Sequence, residues 1–425
     1  YLDLVHKFIN MYIESHLQND IIYEGIILCK KEKLKDIYST VYLKSNKSYT
    51  LKIKDFIKYL TKEIKDNYSD LSHEVWLQYR EEFSSLSKGD PRRQEIIDIT
   101  NQIHDEIKKG CPNVIKEYFK FIKTSPLILY QAFINNIDNF GLNLPFDINE
   151  FKEYTLARLK KKYLSYEDLS AMLYISYLMT GISDYDKLKH LIIDEAQDLS
   201  EAQYYLLKKI FPKSHFDIYG DSSQAIYDYQ STSDFSKLNN IIFNNEATLL
   251  NLNKSYRTTL EISNTSNLIL EYINREQTDC IARNGEEVNI IELQDIKDII
   301  YQIQTLTTKG YETIAIICKD TEEVTKISKN LKKYGLSIHE IKEENDKYTG
   351  GLCILPSYLA KGLEFDAVIL SNANNINYQD NNIDMKLLYV AITRAKCDLY
   401  ITASQKIKQF GKYKIEAPSK IFNLK

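Results

Sequence analysis

The chain has 425 residues, of which 44% are hydrophobic and 27% charged, and its net charge at pH 7 is −4. This length exceeds one ordinary core and suggests two or three domains. The slight negative charge argues against a protein whose whole surface grips nucleic acid, so any such contact has to be a local patch. No apolar run approaches the roughly 18 residues that a membrane span needs.

The six cysteines are scattered, and none forms a CxxC pair or stands at metal-ligand spacing to a histidine. A disulfide framework or a zinc site is therefore not expected, and a reducing cytoplasm fits this usage. The first residues lack the basic and apolar segments of a signal peptide. The chain begins with Tyr1 and not with Met, which suggests that it is part of a longer polypeptide.

Residues 1–164 predict a mostly helical region. Apolar residues recur at helical spacing, as between Phe56 and Ile64. The run Ser87–Pro91 predicts a turn between two helices, and Ile21–Leu28 predicts a small β element. This region contains no chemical motif, and we interpret it as a helical insertion or arm.

From residue 165 onwards, short apolar runs alternate with helical patterns, which is typical of parallel α/β sheets. A helix is predicted from Tyr166 to Met179. The predicted strands are Leu191–Ile193, His215–Tyr219, Thr248–Leu252, Val288–Ile291, Thr313–Cys318, Leu352–Leu355, Ala367–Leu370 and Asp398–Thr402.

The acidic run Asp194–Asp198 directly follows the predicted strand Leu191–Ile193 and reads Asp-Glu-Ala-Gln-Asp. In open α/β sheets, ligands bind at the carboxyl ends of the strands. One acid there can hold Mg²⁺, mainly through water, and the other can activate an attacking water as a general base. A lone Asp-Glu pair would indicate a solvated turn, but the complete run after an apolar strand favours the chemical role.

A second polar loop, Gly220–Tyr227, follows the strand His215–Tyr219. Gln224 can hydrogen-bond to a terminal phosphate or to the attacking water, and Tyr227 and Tyr229 offer flat faces on which bases can stack. The loop alone leaves open the alternative of an ordinary connection whose aromatic side chains pack in the core.

Two arginines are candidates for contact with a γ-phosphate, where a guanidinium stabilises charge in the transition state. Arg257 follows the strand Thr248–Leu252 and, taken alone, is better explained as a surface arginine at a helix start. Arg394 lies near the end of a predicted helix, Lys386–Lys396, and the alternative is that its charge complements the helix dipole.

The run Pro356–Asp366 lies between these arginines in the chain. Lys361 and Gly362 provide a permissive turn with a positive charge, and Glu364 can accept a hydrogen bond from a ribose hydroxyl. An ordinary turn before the strand Ala367–Leu370 is the alternative, which the length of the run disfavours.

Five motifs together resemble helicase motifs II to VI of the UvrD/Rep branch of superfamily 1, over about Tyr166–Thr402. From motif II to motif VI, in chain order, they are Asp194–Asp198, Gly220–Tyr227, Tyr256–Arg257, Lys361–Asp366 and Tyr389–Lys396. The resemblance implies an α/β fold with two RecA-like parallel-sheet domains of the P-loop NTPase type, facing each other across an ATP cleft. It implies a 1B-like helical arm at 1–164, part of the first RecA-like domain at 165–245, and the second at 246–425. The first RecA-like domain is incomplete in this chain.

The resemblance also implies that the parent protein binds ATP and Mg²⁺ and hydrolyses ATP. The residues that it assigns to catalysis and to sensing the γ-phosphate are Glu195, Gln224, Arg257 and Arg394. Those that it assigns to the nucleotide are Asp194, which also holds Mg²⁺, Lys361, Gly362 and Glu364. Those that it assigns to single-stranded or duplex nucleic acid are Tyr227 and Tyr229.

The residues just before the Lys361-Gly362 of motif V indicate a narrower group within this branch, because Pro356 and Tyr358 stand where most UvrD-type motors carry Thr and His. This phrase, with the helical region ahead of Ser165–Leu169, is similar to the HelD group, ATPases that bind bacterial RNA polymerase and help to release it. Tyr229 is followed by Gln230–Ser231 instead of Arg-Gly, which alters the nucleic-acid surface. The expected partners are DNA, RNA polymerase or both. A DNA helicase translocating on single strands and a non-enzymatic binding module stay open.

A phosphate-binding loop, Gly-x-x-x-x-Gly-Lys-Ser/Thr, does not occur in the 425 residues. Such a loop cradles the β- and γ-phosphates with backbone N–H groups and a lysine. Because the candidate acids and arginines are retained together, we expect the parent protein to carry this loop before Tyr1. The chain by itself is then an inactive fragment of the motor.

Overall fold

The computed structural model of the chain describes residues 1–141, 146–181, 188–227, 232, 234–280, 283–293, 295–343, 346–374 and 376–404. They divide into two compact units. The first unit comprises residues 1–189 and 202–214, and the second comprises residues 190–201 and those from 215 onwards. None of the described helices combines the length and low charge that crossing a bilayer requires.

The first unit is mostly helical, as the sequence predicts. Its helices are α1 (Leu2–His16), α2 (Lys31–Ile37), α3 (Tyr49–Asp66), α4 (Tyr68–Ser85), α5 (Pro91–Lys109), α6 (Pro112–Tyr118), α7 (Pro126–Asn135), α8 (Ile148–Lys160), α9 (Tyr166–Thr180) and α10 (Glu201–Ile210). The predicted β element is a short antiparallel hairpin of β1 (Ile21–Tyr23) and β2 (Ile26–Cys29). Its turn residues, Glu24 and Gly25, have φ of 45° and 77°, which suits a two-residue hairpin turn.

The helical spacing of apolar residues places one face of each long helix in the core of this unit. On α3, Ile53, Phe56, Leu60 and Ile64 are all buried, as the period of 3.6 residues requires. The predicted turn also forms, since α4 ends at Ser85 and α5 begins at Pro91.

A buried polar network holds the start of α9 in the first unit. The Asp168 carboxylate, in a residue only 4% exposed, accepts a 2.9 Å hydrogen bond from Ser165 N, which completes a capping box. It also accepts hydrogen bonds from the Tyr130 hydroxyl at 2.7 Å and from Arg158 Nη2 at 2.6 Å. A buried carboxylate satisfied in this way stabilises the fold only while its cationic partner stays paired.

We expect Asp168→Ala to lower the free energy of unfolding of the first unit by about 3 kcal/mol, because the largely buried Arg158 guanidinium, in a side chain that is 16% exposed, loses its carboxylate partner. Trp76, the single tryptophan of the chain, lies on α4 of this unit, so its fluorescence during urea denaturation reports the change. The control is Glu82→Ala, which removes an exposed partner of Arg92 and should cost less than about 1 kcal/mol. Equal effects of the two substitutions would contradict the prediction.

The described part of the second unit is built around a six-stranded parallel sheet with the order β7-β12-β11-β8-β10-β9. Its strands are β3 (His190–Ile193), β4 (His215–Ile218), β5 (Lys254–Ser255), β6 (Asp279–Cys280), β7 (Asn289–Leu293), β8 (Thr313–Cys318), β9 (His339–Glu340), β10 (Gly351–Pro356), β11 (Phe365–Leu370) and β12 (Ala395–Ser404). Its helices are α11 (Phe235–Phe243), α12 (Leu260–Tyr272), α13 (Ile296–Thr308), α14 (Thr321–Lys333) and α15 (Asn382–Thr393).

The central strands of this sheet are covered on both faces, which explains their unbroken apolar runs. On β8, Ala315 and Ile317 pack into the core that contains α12 and α15 residues, whereas Ile314 and Ile316 pack into the core that contains α13 and α14 residues. The predicted α/β class, with parallel sheets and a helical N-terminal region, is confirmed.

The prediction of a strand at Thr248–Leu252 is wrong. The structure places these residues in no strand, and Leu250 and Leu252 are 82% and 87% exposed. Strand β5 begins two residues later and pairs with β6. A short leucine-rich run is suitable for a sheet, but a strand also needs a neighbouring strand to share its hydrogen bonds.

The predicted helix Lys386–Lys396 is too long at its C-terminal end. Helix α15 ends at Thr393, and β12 begins at Ala395, where it pairs with Phe365 of β11. The Phe365 N–H donates to the Arg394 carbonyl at 2.9 Å, so the backbone at this point joins the sheet. Arg394 therefore lies at the junction of a helix and a strand.

Candidate active site

The two adjacent acids lie at the carboxyl end of β3, as the sequence predicts. Strand β3 pairs in parallel with β4, and the Ala196 N–H donates to the Tyr219 carbonyl at 2.9 Å just beyond it. Asp194 and Glu195 are both exposed, and Glu195 has φ 48° and ψ 39°, in the left-handed region. A non-glycine residue held there carries local strain of about 1–3 kcal/mol, which is found most often at functional sites.

Gln197, to which the sequence assigned no separate role, orders this turn. Its side chain is fully buried, and its Nε2 donates to Glu195 Oε2 at 2.5 Å while its Oε1 accepts from Asp221 N at 3.0 Å. A Cβ on Gly220 would lie 2.7 Å from Gln197 Oε1 and 2.9 Å from the Phe235 ring, so only glycine fits there. The acidic turn and the following polar loop are therefore packed against each other.

Gln224, in the polar loop Gly220–Tyr227, contacts an arginine that is 170 residues away in the chain. Its Nε2 donates to Asp221 Oδ2 at 2.9 Å, and its Oε1 accepts from Arg394 Nη2 at 3.1 Å. The interaction links the candidate γ-phosphate residues of motifs III and VI directly.

Arg394 is only 2% exposed and is held as a planar group. Its Nε donates to the Val390 carbonyl of α15 at 3.0 Å, and its Nη1 donates to the Leu363 carbonyl at 3.4 Å. Burial, with repulsion from Arg257, lowers the pKa of Arg394 to about 10, and Glu195 is the first of the carboxylates that oppose this shift. The guanidinium is therefore still charged at neutral pH. It also donates to a carbonyl near the C-terminal end of α15, so the contact with the helix end and the contact with Gln224 occur together.

Arg257 and Glu364 form an ion pair beside Arg394. Arg257 Nη1 donates to Glu364 Oε1 at 3.0 Å, and Arg257 Nη2 donates to the Thr393 carbonyl at 3.2 Å. Lys396 Nζ lies 3.1 Å from the other carboxylate oxygen. Partial burial raises the pKa of Glu364, but the hydrogen bonds from Lys396 and Arg257 outweigh it and leave the pKa below its ordinary value. In this structure the Glu364 carboxylate is thus paired with the side chains of Arg257 and Lys396.

Lys361 connects motif V to the acidic turn. Its ammonium lies 2.5 Å from Asp198 Oδ1 and 3.6 Å from Glu195 Oε2, and it donates to the Gln224 carbonyl at 3.3 Å. The next residue, Gly362, has φ 78°, a conformation that suits glycine. The Lys361 ammonium is therefore placed to balance the negative charge of Asp198 and Glu195.

Of the two tyrosines predicted to contact nucleic acid, the structure describes Tyr227. Tyr227 lies directly after the Gln224 loop and is 39% exposed. Tyr229 lies outside the described residues. The proposed contact of these side chains with nucleic acid stays a prediction.

The donor set fits a γ-phosphate with its Mg²⁺ ion. Among the described residues, no three carboxylate, histidine or cysteine side chains form a metal cluster. Mg²⁺ bound to nucleotides needs only one or two carboxylates, because phosphates and water complete its octahedron. Asp194 is the exposed carboxylate at the end of β3 that could fill this role, and one of its oxygens accepts from Glu195 N at 2.8 Å. Arg257, Arg394 and Lys361 supply positive charge, and the 425 residues contain no Gly-x-x-x-x-Gly-Lys-Ser/Thr loop, the usual source of donors for a β-phosphate.

Two protein-family models match the chain. The UvrD/REP helicase N-terminal domain matches residues 4–242, more than half of the chain, and the UvrD-like helicase C-terminal domain matches residues 336–406. A crystal structure described as the C-terminal domain of a possible DNA helicase from Lactobacillus plantarum WCFS1 is 33% identical. That match covers 35% of this chain and 88% of the other, with a TM-score of 0.30.

Curated relatives also match. One is named putative ATP-dependent DNA helicase R568 and comes from Acanthamoeba polyphaga mimivirus. It is 28% identical over 55% of this chain and 37% of its own length. The ATP-dependent DNA helicase PcrA of Bacillus subtilis is 25% identical over 44% of this chain and 27% of its own length. The chain thus spans less than half the length of both relatives. The N-terminal family model, which matches more than half of the chain, shows that the chain belongs to the UvrD/Rep family of superfamily 1 helicases.

Proposed function

We propose that this chain is the part of an ATP-driven DNA helicase that senses the γ-phosphate and activates the attacking water. The observation that carries the proposal is the hydrogen bond between the buried Arg394 guanidinium and Gln224, in the same site as Glu195. The β-phosphate donors are supplied by a phosphate-binding loop outside these 425 residues. A polypeptide that contains both this chain and such a loop is the complete motor.

Each side chain has one role in hydrolysis. Bound MgATP supplies the phosphoryl group, with Asp194 as the carboxylate that holds the cation. Glu195 accepts a proton from the attacking water, and Gln224 orients that water or a γ-phosphate oxygen. Arg394 and Arg257 stabilise the negative charge that builds up on the phosphoryl oxygens.

The same residues explain how ATP could drive movement. In this structure the guanidinium donors of Arg257 and Arg394 contact Glu364, Gln224 and backbone carbonyls. A γ-phosphate competes for these donors, so the segments that carry them shift when it binds and return after hydrolysis. Movement along single-stranded DNA is the function we assign to this cycle, since the relatives named above are DNA helicases.

The 425-residue chain alone should not hydrolyse ATP, because it contains no loop to hold the β-phosphate. Phosphate release by the purified chain should equal that of its Glu195→Gln variant, so that a contaminating ATPase is recognised. MgATP turnover that the substitution abolishes would overturn the assignment of the chain as a dependent part of the motor.

A HelD-like ATPase acting on bacterial RNA polymerase is the second candidate. Pro356 and Tyr358 favour it, because they replace the Thr and His of most UvrD-type motors. Pro356 is the last residue of β10, and Tyr358 lies in the short turn that follows. The two candidates differ in what accelerates the ATPase of the complete motor. Stimulation by single-stranded DNA supports the helicase, whereas stimulation by core RNA polymerase without DNA supports the HelD-like function. Stimulation by neither would contradict both.

A further inference from the structure

Gln197 is the one amide in the acidic turn, and it has two different contacts. Its Nε2 donates to the Glu195 carboxylate at 2.5 Å, and its Oε1 accepts from Asp221 N at 3.0 Å. The side chain is completely buried, whereas Glu195 is exposed. A buried, satisfied group thus holds an exposed carboxylate that otherwise has several rotamers available.

The surroundings of Gln197 fix the orientation of its amide. The Thr232 N–H donates to the Gln197 carbonyl at 3.0 Å, which holds the backbone. Because the Asp221 N–H has to meet an acceptor, Oε1 faces Asp221 and the NH₂ group faces Glu195. Gly220 leaves just enough space for this arrangement, as its missing Cβ would lie 2.7 Å from Oε1.

We propose that Gln197 is a positioning residue that aims the Glu195 carboxylate at the attacking water. This inference rests on the proposed function, in which Glu195 is the general base. The hydrogen bonds continue from Gln197 through Asp221 and Gln224 to Arg394, so one network orients the base and the γ-phosphate sensors together. Groups positioned in this way contribute to the chemical step and not to nucleotide affinity.

Two substitutions separate this role from a structural one. Gln197→Glu has nearly the same shape and keeps an acceptor for Asp221 N, but as a carboxylate it has no donor for Glu195 and places a like charge beside it. Gln197→Met also fits a buried site and loses both contacts. If Gln197 only supports the polar loop, Gln197→Glu behaves like the unchanged protein; if it positions Glu195, both variants are impaired.

The experiment measures single-turnover ATP hydrolysis and ATP affinity in the complete motor. We expect both variants to lower the hydrolysis rate at least about tenfold, because small misplacements of reacting groups cost up to about 10²-fold. ATP affinity should change less than about twofold, since Gln197 acts through Glu195. Combined with Glu195→Gln, neither substitution should lower the residual rate further, because the group that Gln197 positions is already inactive.

Gln302→Met is the matched control, since Gln302 is a buried glutamine on α13 (9% exposed) in the same unit. This substitution should leave the ATP hydrolysis rate and the ATP affinity unchanged. A normal rate for Gln197→Glu, or a further loss in the Glu195→Gln background, overturns the inference. If one variant does not fold, as judged by lost ATP binding and circular dichroism, the other decides. If Glu195→Gln itself keeps the normal rate, the proposed function fails; if only the Gln197 variants do, the positioning role alone fails.

Discussion

Glu195→Gln is expected to lower the kcat of the complete motor at least about 10²-fold, within the range that general-base catalysis contributes. The amide has nearly the same shape as the carboxylate but cannot accept a proton from the attacking water. ATP affinity should stay close to that of the unchanged protein, because Arg257, Arg394 and Lys361 keep their positions. Steady-state ATPase rates, with ATP binding measured separately, check both parts.

Glu201→Gln is the matched control for this substitution. Glu201 lies at the start of α10 and pairs with Lys237 at 2.6 Å, outside the hydrogen-bond network of Gln197 and Gln224. Its substitution should leave kcat unchanged. A Glu195→Gln motor that hydrolyses ATP at the normal rate would show that another group is the base.

Arg394→Lys and Arg257→Lys should each lower kcat at least about tenfold, with a smaller effect on ATP affinity. Arginine fingers contribute about 10³–10⁵ in rate in well-studied phosphoryl-transfer systems. Arg394 uses its fork to reach Val390 O, Leu363 O and the Gln224 side chain at once. An ammonium is a point charge without this geometry, so lysine should not rescue the function.

The two arginines differ in exposure, and this separates their expected effects. Arg394 is buried, so its replacement also leaves backbone carbonyls without a donor and should lower thermal stability. Arg257 is partly exposed, so its replacement should lower kcat with little loss of thermal stability. Arg92→Lys, at an exposed pair with Glu82 on α5 and α4, is the control and should change neither. A kcat within twofold of normal for either site variant would contradict its role.

Local periodicity predicted most elements of the fold because it records which face of a segment is buried. The continuous apolar run Thr313–Cys318 is β8, with the predicted bounds, since a central parallel strand is covered on both sides. Helix α9 begins at Tyr166, as predicted, because Ser165 and Asp168 form a capping box. The strand predicted at Thr248–Leu252 did not form, since a short apolar run indicates a suitable surface but does not supply a partner strand.

The sequence by itself determined the parallel α/β class, the helical N-terminal region and the chemical type of each candidate residue, because these depend on neighbours in the chain. Only the tertiary structure decided which of these residues meet. Gln224 bonds to Arg394, and Lys361 pairs with Asp198, across more than 160 residues. The two contacts of the buried Gln197 amide were decided in the same way, because a hydrogen bond depends on distance and direction in space, and periodicity along the chain carries no information about either.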